Sequence, residues 1–175
     1  MSTVTRVAAE VMASARGERP IVLIDGRSGA GKSTFATELA EELRAELVRL
    51  DDVYPGWDGL EAGSEAVHTE IIPLSQWHRW SWDTGERTTR HVVDPARPLV
   101  IEGCGALSRA ARRLATYGVW LELDDASRKN RALTRDGETY APFWERWARQ
   151  EEAFSERERP RELADVVIDG STVAL

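Results

Sequence analysis

The chain has a single cysteine, Cys104. An intramolecular disulfide framework is therefore excluded, and the usage fits a reducing, cytoplasmic setting. Long hydrophobic runs are lacking as well. No segment approaches the roughly 20 apolar residues of a membrane-spanning helix, and Met1-Ser2-Thr3-Val4 lacks the basic, apolar and small-residue blocks of a signal peptide. Positive charge is in deficit: the formal net charge is −7, which argues against broad capture of nucleic acid, so any phosphate binding must come from a local arrangement. His68, His78 and His91 show no metal-ligand spacing, and with one cysteine no structural zinc site is expected. There is no internal repeat, low-complexity tract or dividing linker. What is present is ordinary for a globular protein: 175 residues, 42% hydrophobic and 30% charged, enough for one domain (1–175) with its own core. Seven tryptophans are a high count for this length.

Residues 3–16 carry Val4, Val7, Ala8, Val11, Met12 and Ala15 at helical spacing, ended by Gly17 and Pro20. Ile21-Val22-Leu23-Ile24 reads as a strand buried on both faces. Phe35, Ala36, Leu39, Ala40 and Leu43 mark a second helix. Further strands are expected at 47–50, 98–101, 118–123 and 165–168, and helices at 106–114, 125–134 and 142–155. Pro55, Gly56, Gly59 and Gly63 make 53–63 a loop. The stretch 65–95 reads as two short helices, about 65–71 and 74–80, followed by polar loop. Strands alternating with helices predict a three-layer α/β domain with a mainly parallel five-stranded sheet.

Between the first strand and the second helix lies Gly26-Arg27-Ser28-Gly29-Ala30-Gly31-Lys32-Ser33, which satisfies G-x-x-x-x-G-K-[ST] at every fixed position. Glycines let the backbone curl so that amides point inward at phosphates. Lys32 supplies an ammonium, Ser33 a hydroxyl for Mg²⁺, and the helix that follows turns its positive end toward the anion. The segment Gly26, Ser28, Gly29, Ala30, Gly31, Lys32, Ser33 and Thr34 is thus the expected cradle for ATP or GTP. A guanine motif of the N-K-x-D type is missing; Arg128-Lys129-Asn130-Arg131 does not qualify.

Ligands of open parallel sheets bind beyond the carboxyl ends of the strands. Asp51 and Asp52 close the second strand and Glu102 the third, so they are expected to face the crevice of Lys32, as proton acceptor or metal partner. Capping is the alternative use of such acids, and alternation along a strand leaves open whether Asp51 or Asp52 faces inward. Arg128, Arg131 and Arg135 recur at three and four residues and are expected on one helix face, either in salt bridges or as a lid over about 128–140 that clamps phosphates.

Taken together, Asp25-Gly26 through Ser33, Leu50-Asp51-Asp52-Val53-Tyr54 and Val100-Ile101-Glu102-Gly103 resemble the uridine kinase, nicotinamide riboside kinase and phosphoribulokinase group. The resemblance implies a P-loop NTPase fold, ATP and Mg²⁺ as cofactors, Asp51 as catalytic base, Glu102 as metal partner and the three arginines as lid residues. It also places Ala164–Gly170 near the nucleotide base. The region 53–95, expected to bind the acceptor, shares little with that group beyond Trp82-Asp83.

Aromatic faces can stack on a planar ring. Tyr54 and Trp57 stand close after Asp51, while Trp77, Trp80 and Trp82 form a second set. Asp51, Tyr54, Trp57, Trp82 and Asp83 are the candidate substrate residues, with core packing as the competing use of any one tryptophan. Trp144 and Trp147 are expected in the core. The leading expectation is an ATP-dependent kinase for a small-molecule acceptor such as a nucleoside or ribose-bearing metabolite. A nucleoside monophosphate kinase, with Arg79, Arg87 and Arg90 as a basic clamp, and a non-kinase ATP-binding regulator are the alternatives. A homodimer is compatible with the sequence; nucleic-acid and membrane partners are not expected.

Overall fold

The computed structural model describes residues 1–173. Helix α1 (Thr3–Ala15) begins where the Ser2 hydroxyl accepts the Thr5 amide at 3.1 Å, and it buries Val7, Ala8, Val11 and Ala15 along one stripe. Strand β1 (Ile21–Asp25) runs through the glycine-rich loop into α2 (Lys32–Leu43) and β2 (Glu46–Arg49). A helical stretch follows: α3 (Leu60–Ala66), a π turn at Val67–Ile71 and α4 (Ile72–Leu74). Next come a hairpin of β3 (Gln76–Ser81) and β4 (Glu86–Val92), then β5 (Leu99–Glu102) and α5 (Arg109–Arg112). The chain closes with β6 (Tyr117–Glu122), α6 (Asp125–Tyr140), α7 (Trp144–Glu158), α8 (Pro160–Leu163) and β7 (Val166–Asp169).

The main sheet has five parallel strands in the order β2-β5-β1-β6-β7. Alternation along the strands divides the core in two. Val22, Ile24, Val100, Val119 and Leu121 pack with α1 and α2 on one face. Leu23, Val48, Leu99 and Ile101 pack on the other with Leu60, Val67, Ile71, Trp77, Trp147 and Phe154. Both faces are covered, which is why the strands read as continuous apolar runs. The three-layer α/β architecture is the one expected.

Local expectations fail in four places. The loop expected over 53–63 becomes helical at Leu60, where α3 begins. The helix expected over 74–80 does not form: α4 ends at Leu74 and Gln76–Ser81 is strand β3. Ser75 adopts a left-handed conformation (φ 50°) that stops the helix, and the chain turns into the β3–β4 hairpin. The three-residue spacing of Trp77 and Trp80 imitates a helical repeat, yet alternation on β3 sends them to opposite faces, with Trp77 buried and Trp80 half-buried. Register pairs His78 with Arg90 and Trp80 with Arg87, so β4 carries one extra residue opposite Arg79, a β-bulge. The helix expected over 106–114 shrinks to α5, because Ala106 and Leu107 are drawn into the core as loop. β2 ends at Arg49, and Leu50–Asp52 forms a 3₁₀ turn that separates the directions of the two aspartates.

Ile101 is fully buried at the centre of the sheet. Ile101→Ala is expected to destabilise the fold by about 2–5 kcal/mol through lost burial and a residual cavity. Urea unfolding should show a lower midpoint with an unchanged m-value.

Candidate active site

The loop between β1 and α2 is held from several sides. Asp25, 2% exposed, ends β1 and accepts three amides: Gly26 N (2.7 Å) and Gly105 N (3.2 Å) on Oδ1, and Leu107 N (2.9 Å) on Oδ2. It thereby ties the loop to the segment after β5. Ser28 is gripped at every polar atom. Its amide donates to Glu151 Oε1 (2.6 Å), its carbonyl accepts from Arg128 Nη1 (3.0 Å), and its hydroxyl accepts from Tyr140 (2.9 Å). The Ala30 amide turns back to the Arg27 carbonyl (3.1 Å). By contrast, the amides of Gly29, Gly31, Lys32 and Ser33 have no protein acceptor among the described residues. Unpaired amides at a helix N-terminus, with a lysine beside them, are the physical makings of a phosphate site.

Lys32 is buried, with Nζ 3.2 Å from the Arg27 carbonyl and 3.6 Å from Cys104 Sγ. Burial alone would lower its pKa, but the carboxylates of Glu102, Glu151 and Asp25 outweigh that and raise it, so the ammonium keeps its charge. Ser33 Oγ donates to Glu102 Oε1 at 3.0 Å. Glu102 also pairs with Arg49 Nη1 at 3.3 Å, and Arg49 Nη2 donates to Thr37 Oγ1 at 3.0 Å. Burial, then Asp51, push the Glu102 pKa up, against Lys32, Ser33 and Arg49. Among the described residues no three His, Cys, Asp or Glu converge to cage a metal. The Ser33 hydroxyl and Glu102 carboxylate are hard oxygen donors at the helix terminus, a set that fits Mg²⁺ shared with phosphates.

Asp51 and Asp52 take different directions. Asp52 faces the hairpin and pairs with Arg79 Nη2 at 3.5 Å. Asp51 opens into the crevice, where solvent reaches it but protein crowds around it. This partial desolvation raises its pKa, Lys32 and Arg135 oppose the rise, and Asp136 and Asp52 add to it. The alternation problem left open by the sequence is thus resolved toward Asp51.

The arginines do not act as one face. Arg128 is 3% exposed, its guanidinium committed to the Ser28 carbonyl and to Asp125, so it braces the loop and is not free to clamp a phosphate. Arg131 Nη1 donates to the Gly170 carbonyl at 2.9 Å. Arg135 alone is exposed in the crevice, paired with Asp136 at 2.7 Å and felt by Asp51. A non-helical Gly137 (φ 52°, ψ −132°) breaks α6 just beyond it. Arg27, inside the loop, sits among Glu151 (3.1 Å), Glu152 (3.7 Å) and Asp125 (3.8 Å) and is not a free surface residue.

On the proposed acceptor side, Tyr54 is a correction. It is 1% exposed, its hydroxyl donates to the Cys104 carbonyl (2.7 Å) and its ring meets Trp147 edge-on at 4.8 Å, so it belongs to the core and not to a substrate wall. Trp57 is half-buried and stacks on Phe143 (4.5 Å, 8°) and Tyr140 (5.2 Å, 21°). Trp82 is 44% exposed, 5.0 Å from Trp57, and its Nε1 donates to the Asp51 carbonyl at 2.9 Å. Asp83 lies exposed in the hairpin turn.

Glu151, Tyr140, Cys104 and Arg49 escaped the sequence reading. For Glu151 a signal existed. Trp144, Trp147, Glu151 and Phe154 are the buried face of α7, so one acid occupies a position of the apolar stripe.

A protein-family model described as an AAA domain matches residues 21–142, well over half of the chain. A tRNA dimethylallyltransferase 9 from Arabidopsis thaliana is 30% identical over 102 residues, 51% of this chain and 22% of that protein. A probable gluconokinase from Saccharomyces cerevisiae is 28% identical over 108 residues, 58% of this chain and 53% of that protein. The chain thus spans about a fifth and about half of these two relatives. A solved structure described as a possible uridine kinase from Bacillus stearothermophilus superposes with a TM-score of 0.66 at 19% identity, covering 95% of this chain and 97% of that one.

Two outcomes follow from the geometry. Gly29 has φ 84°, and an added Cβ would fall on the Arg128 backbone carbonyl. Gly29→Ala is therefore expected to lower stability by roughly 1–3 kcal/mol and to weaken nucleotide binding, measured by thermal melting and calorimetric titration. Asp25 has its pKa raised to about 6, chiefly by burial, against the pull of its three amide donors and Lys32. The folded state holds the proton more tightly than the unfolded one, so the Asp25 contribution is largest at low pH and declines as pH rises from about 4 to about 6. The wild-type minus Asp25→Asn difference in unfolding free energy should fall by about 3 kcal/mol across that window.

By the family match over residues 21–142, the chain belongs to the AAA domain family.

Proposed function

We propose that the chain is a small-molecule kinase that transfers the γ-phosphate of ATP to an acceptor hydroxyl. The observation that carries this is the position of Asp51. It opens into the crevice of Lys32 and Arg135, next to the Ser33–Glu102 oxygen pair, with exposed Trp82 anchored to its own carbonyl. A nucleotide cradle alone needs no such carboxylate, and this one is placed to take the proton of an acceptor hydroxyl.

In this reading the open amides of Gly29, Gly31, Lys32 and Ser33, with the Lys32 ammonium, hold the phosphates, and Thr34 lies at the same helix terminus. Ser33 and Glu102 would hold Mg²⁺, which supplies charge neutralisation on the phosphate oxygens. Asp51 takes the proton of the acceptor hydroxyl as its oxygen bonds to the γ-phosphorus and the bond to the β–γ bridging oxygen breaks, releasing ADP. Arg135 meets the charge on the transferring group, and the break at Gly137 allows the end of α6 to move as a lid. Arg131 borders Gly31 and the turn after β7, where the nucleotide flank would lie.

The acceptor is read as a nucleoside or another ribose-bearing metabolite presented to Asp51 beside Trp57 and Trp82. The names of the yeast relative and of the Bacillus structure, a gluconokinase and a possible uridine kinase, support a phosphotransferase. A monophosphate acceptor is less well supported, because two of its three clamp arginines are engaged, Arg79 with Asp52 and Arg90 with Gln76, which leaves Arg87 on the exposed strand β4. We read residues 1–175 as one domain of a cytoplasmic protein with no nucleic-acid or membrane partner; no described helix is long and apolar enough to cross a membrane.

Asp51→Asn keeps the shape and removes the base. Phosphate transfer across a panel of nucleosides, sugars and vitamins should fall by about 10²–10⁴ in kcat, with Mg·ATP affinity nearly unchanged. Transfer at a native rate, or wild-type hydrolysis that no acceptor stimulates, would refute the reading.

A further inference from the structure

Glu151 is the most deeply buried carboxylate outside the strand ends, at 4% exposure, and it comes from α7, far along the chain from the loop it touches. Oε1 accepts the Ser28 amide (2.6 Å) and the Cys104 thiol (3.2 Å), while Oε2 accepts Arg27 Nε (3.1 Å). The space beside it is a cavity of about 10 Å³ lined by Asp25, Cys104, Trp120 and Phe154, room for about one water molecule. This region behind the loop is built to brace and has no room for a substrate.

We propose that Glu151 is a positioning residue for the phosphate loop. A buried acid is costly unless its lone pairs are used, and these are used on the first half of the loop. By taking the Ser28 amide on Oε1, Glu151 sets the turn that leaves the amides of Gly29, Gly31, Lys32 and Ser33 pointing free, with the Arg27 contact on Oε2 as a second tie. The same helix reaches the other side of the crevice. Gln150 Nε2 donates to the Trp57 carbonyl (2.6 Å), and Trp147 packs against Tyr54. α7 therefore holds the phosphate loop and the 53–59 loop in one frame. The proposal rests on the nucleotide half of the function above, but not on the identity of the acceptor.

Charge and position are separable at this residue. Glu151→Asp keeps the charge and withdraws it by one methylene; Glu151→Gln keeps the reach and the oxygen that accepts Ser28, while removing the charge and the acceptor for Arg27. Amide exchange of Ser28, followed by NMR without nucleotide, should accelerate at least tenfold in Glu151→Asp and Glu151→Ala, and stay within about threefold of wild type in Glu151→Gln. Calorimetric Mg·ATP affinity should follow the same order, falling about tenfold for Asp and Ala and being rescued by Gln. If Glu151→Ala does not fold, the Asp and Gln variants decide. A lower melting temperature with both loop readouts unchanged would make Glu151 plain packing and overturn the proposal, as would a Gln variant as impaired as Asp. Wild-type protein that binds no Mg·ATP would sink the kinase reading, while Ser28 exchange would still decide the role of Glu151.

Discussion

The loop between β1 and α2 must keep several backbone amides unpaired, and most of the surrounding structure answers to that constraint. Unpaired amides are costly wherever water is excluded. They persist only if the loop cannot relax onto neighbouring acceptors. Asp25 fixes the loop where it leaves β1, Glu151 and Arg128 fix Ser28 from opposite sides, and the turn after β7 presses Gly170 against the Ala30 carbonyl. Each brace comes from a different element. The shape of the loop is therefore a property of the assembled sheet and helices, not of the eight residues alone.

The same assembly concentrates charge. Asp25, Glu102 and Glu151 are buried around Lys32, with Cys104 between them. Burial pushes the Cys104 thiol well above its usual range, so it acts as a neutral donor to Glu151. Three acids around one lysine would be unstable if left to themselves. Backbone amides satisfy Asp25, while Arg27 and Arg49 pair with Glu151 and Glu102. Arg27 and Arg49 are thus spent on balancing the carboxylates that shape the site.

Across the crevice, the aromatic residues divide by burial. Tyr54, Trp77, Trp144 and Trp147 are core, Trp57 is packed among Phe143 and Tyr140, and Trp82 keeps an exposed face. The hairpin that carries Trp82 hangs beside Asp51 by one indole hydrogen bond and the Arg79–Asp52 pair. Those two contacts connect the most exposed sheet of the chain to its candidate base.

Local pattern in the chain is enough for the strand–loop–helix around Gly26–Ser33, the acids that follow β2 and close β5, and the parallel α/β frame. Those features are legible because period, glycine placement and strand ends are near-neighbour properties. Packing selects which of Asp51 and Asp52 faces Lys32, since a 3₁₀ turn replaces the end of the strand there. It alone turned Trp77–Trp80 into a hairpin, because pairing with β4 outweighed a spacing that mimics a helix. It also withdrew Arg128 and Tyr54 from the crevice and brought in Glu151, 123 residues from Ser28. Burial and long-range hydrogen bonding make those assignments, and neither is visible until the layers are packed.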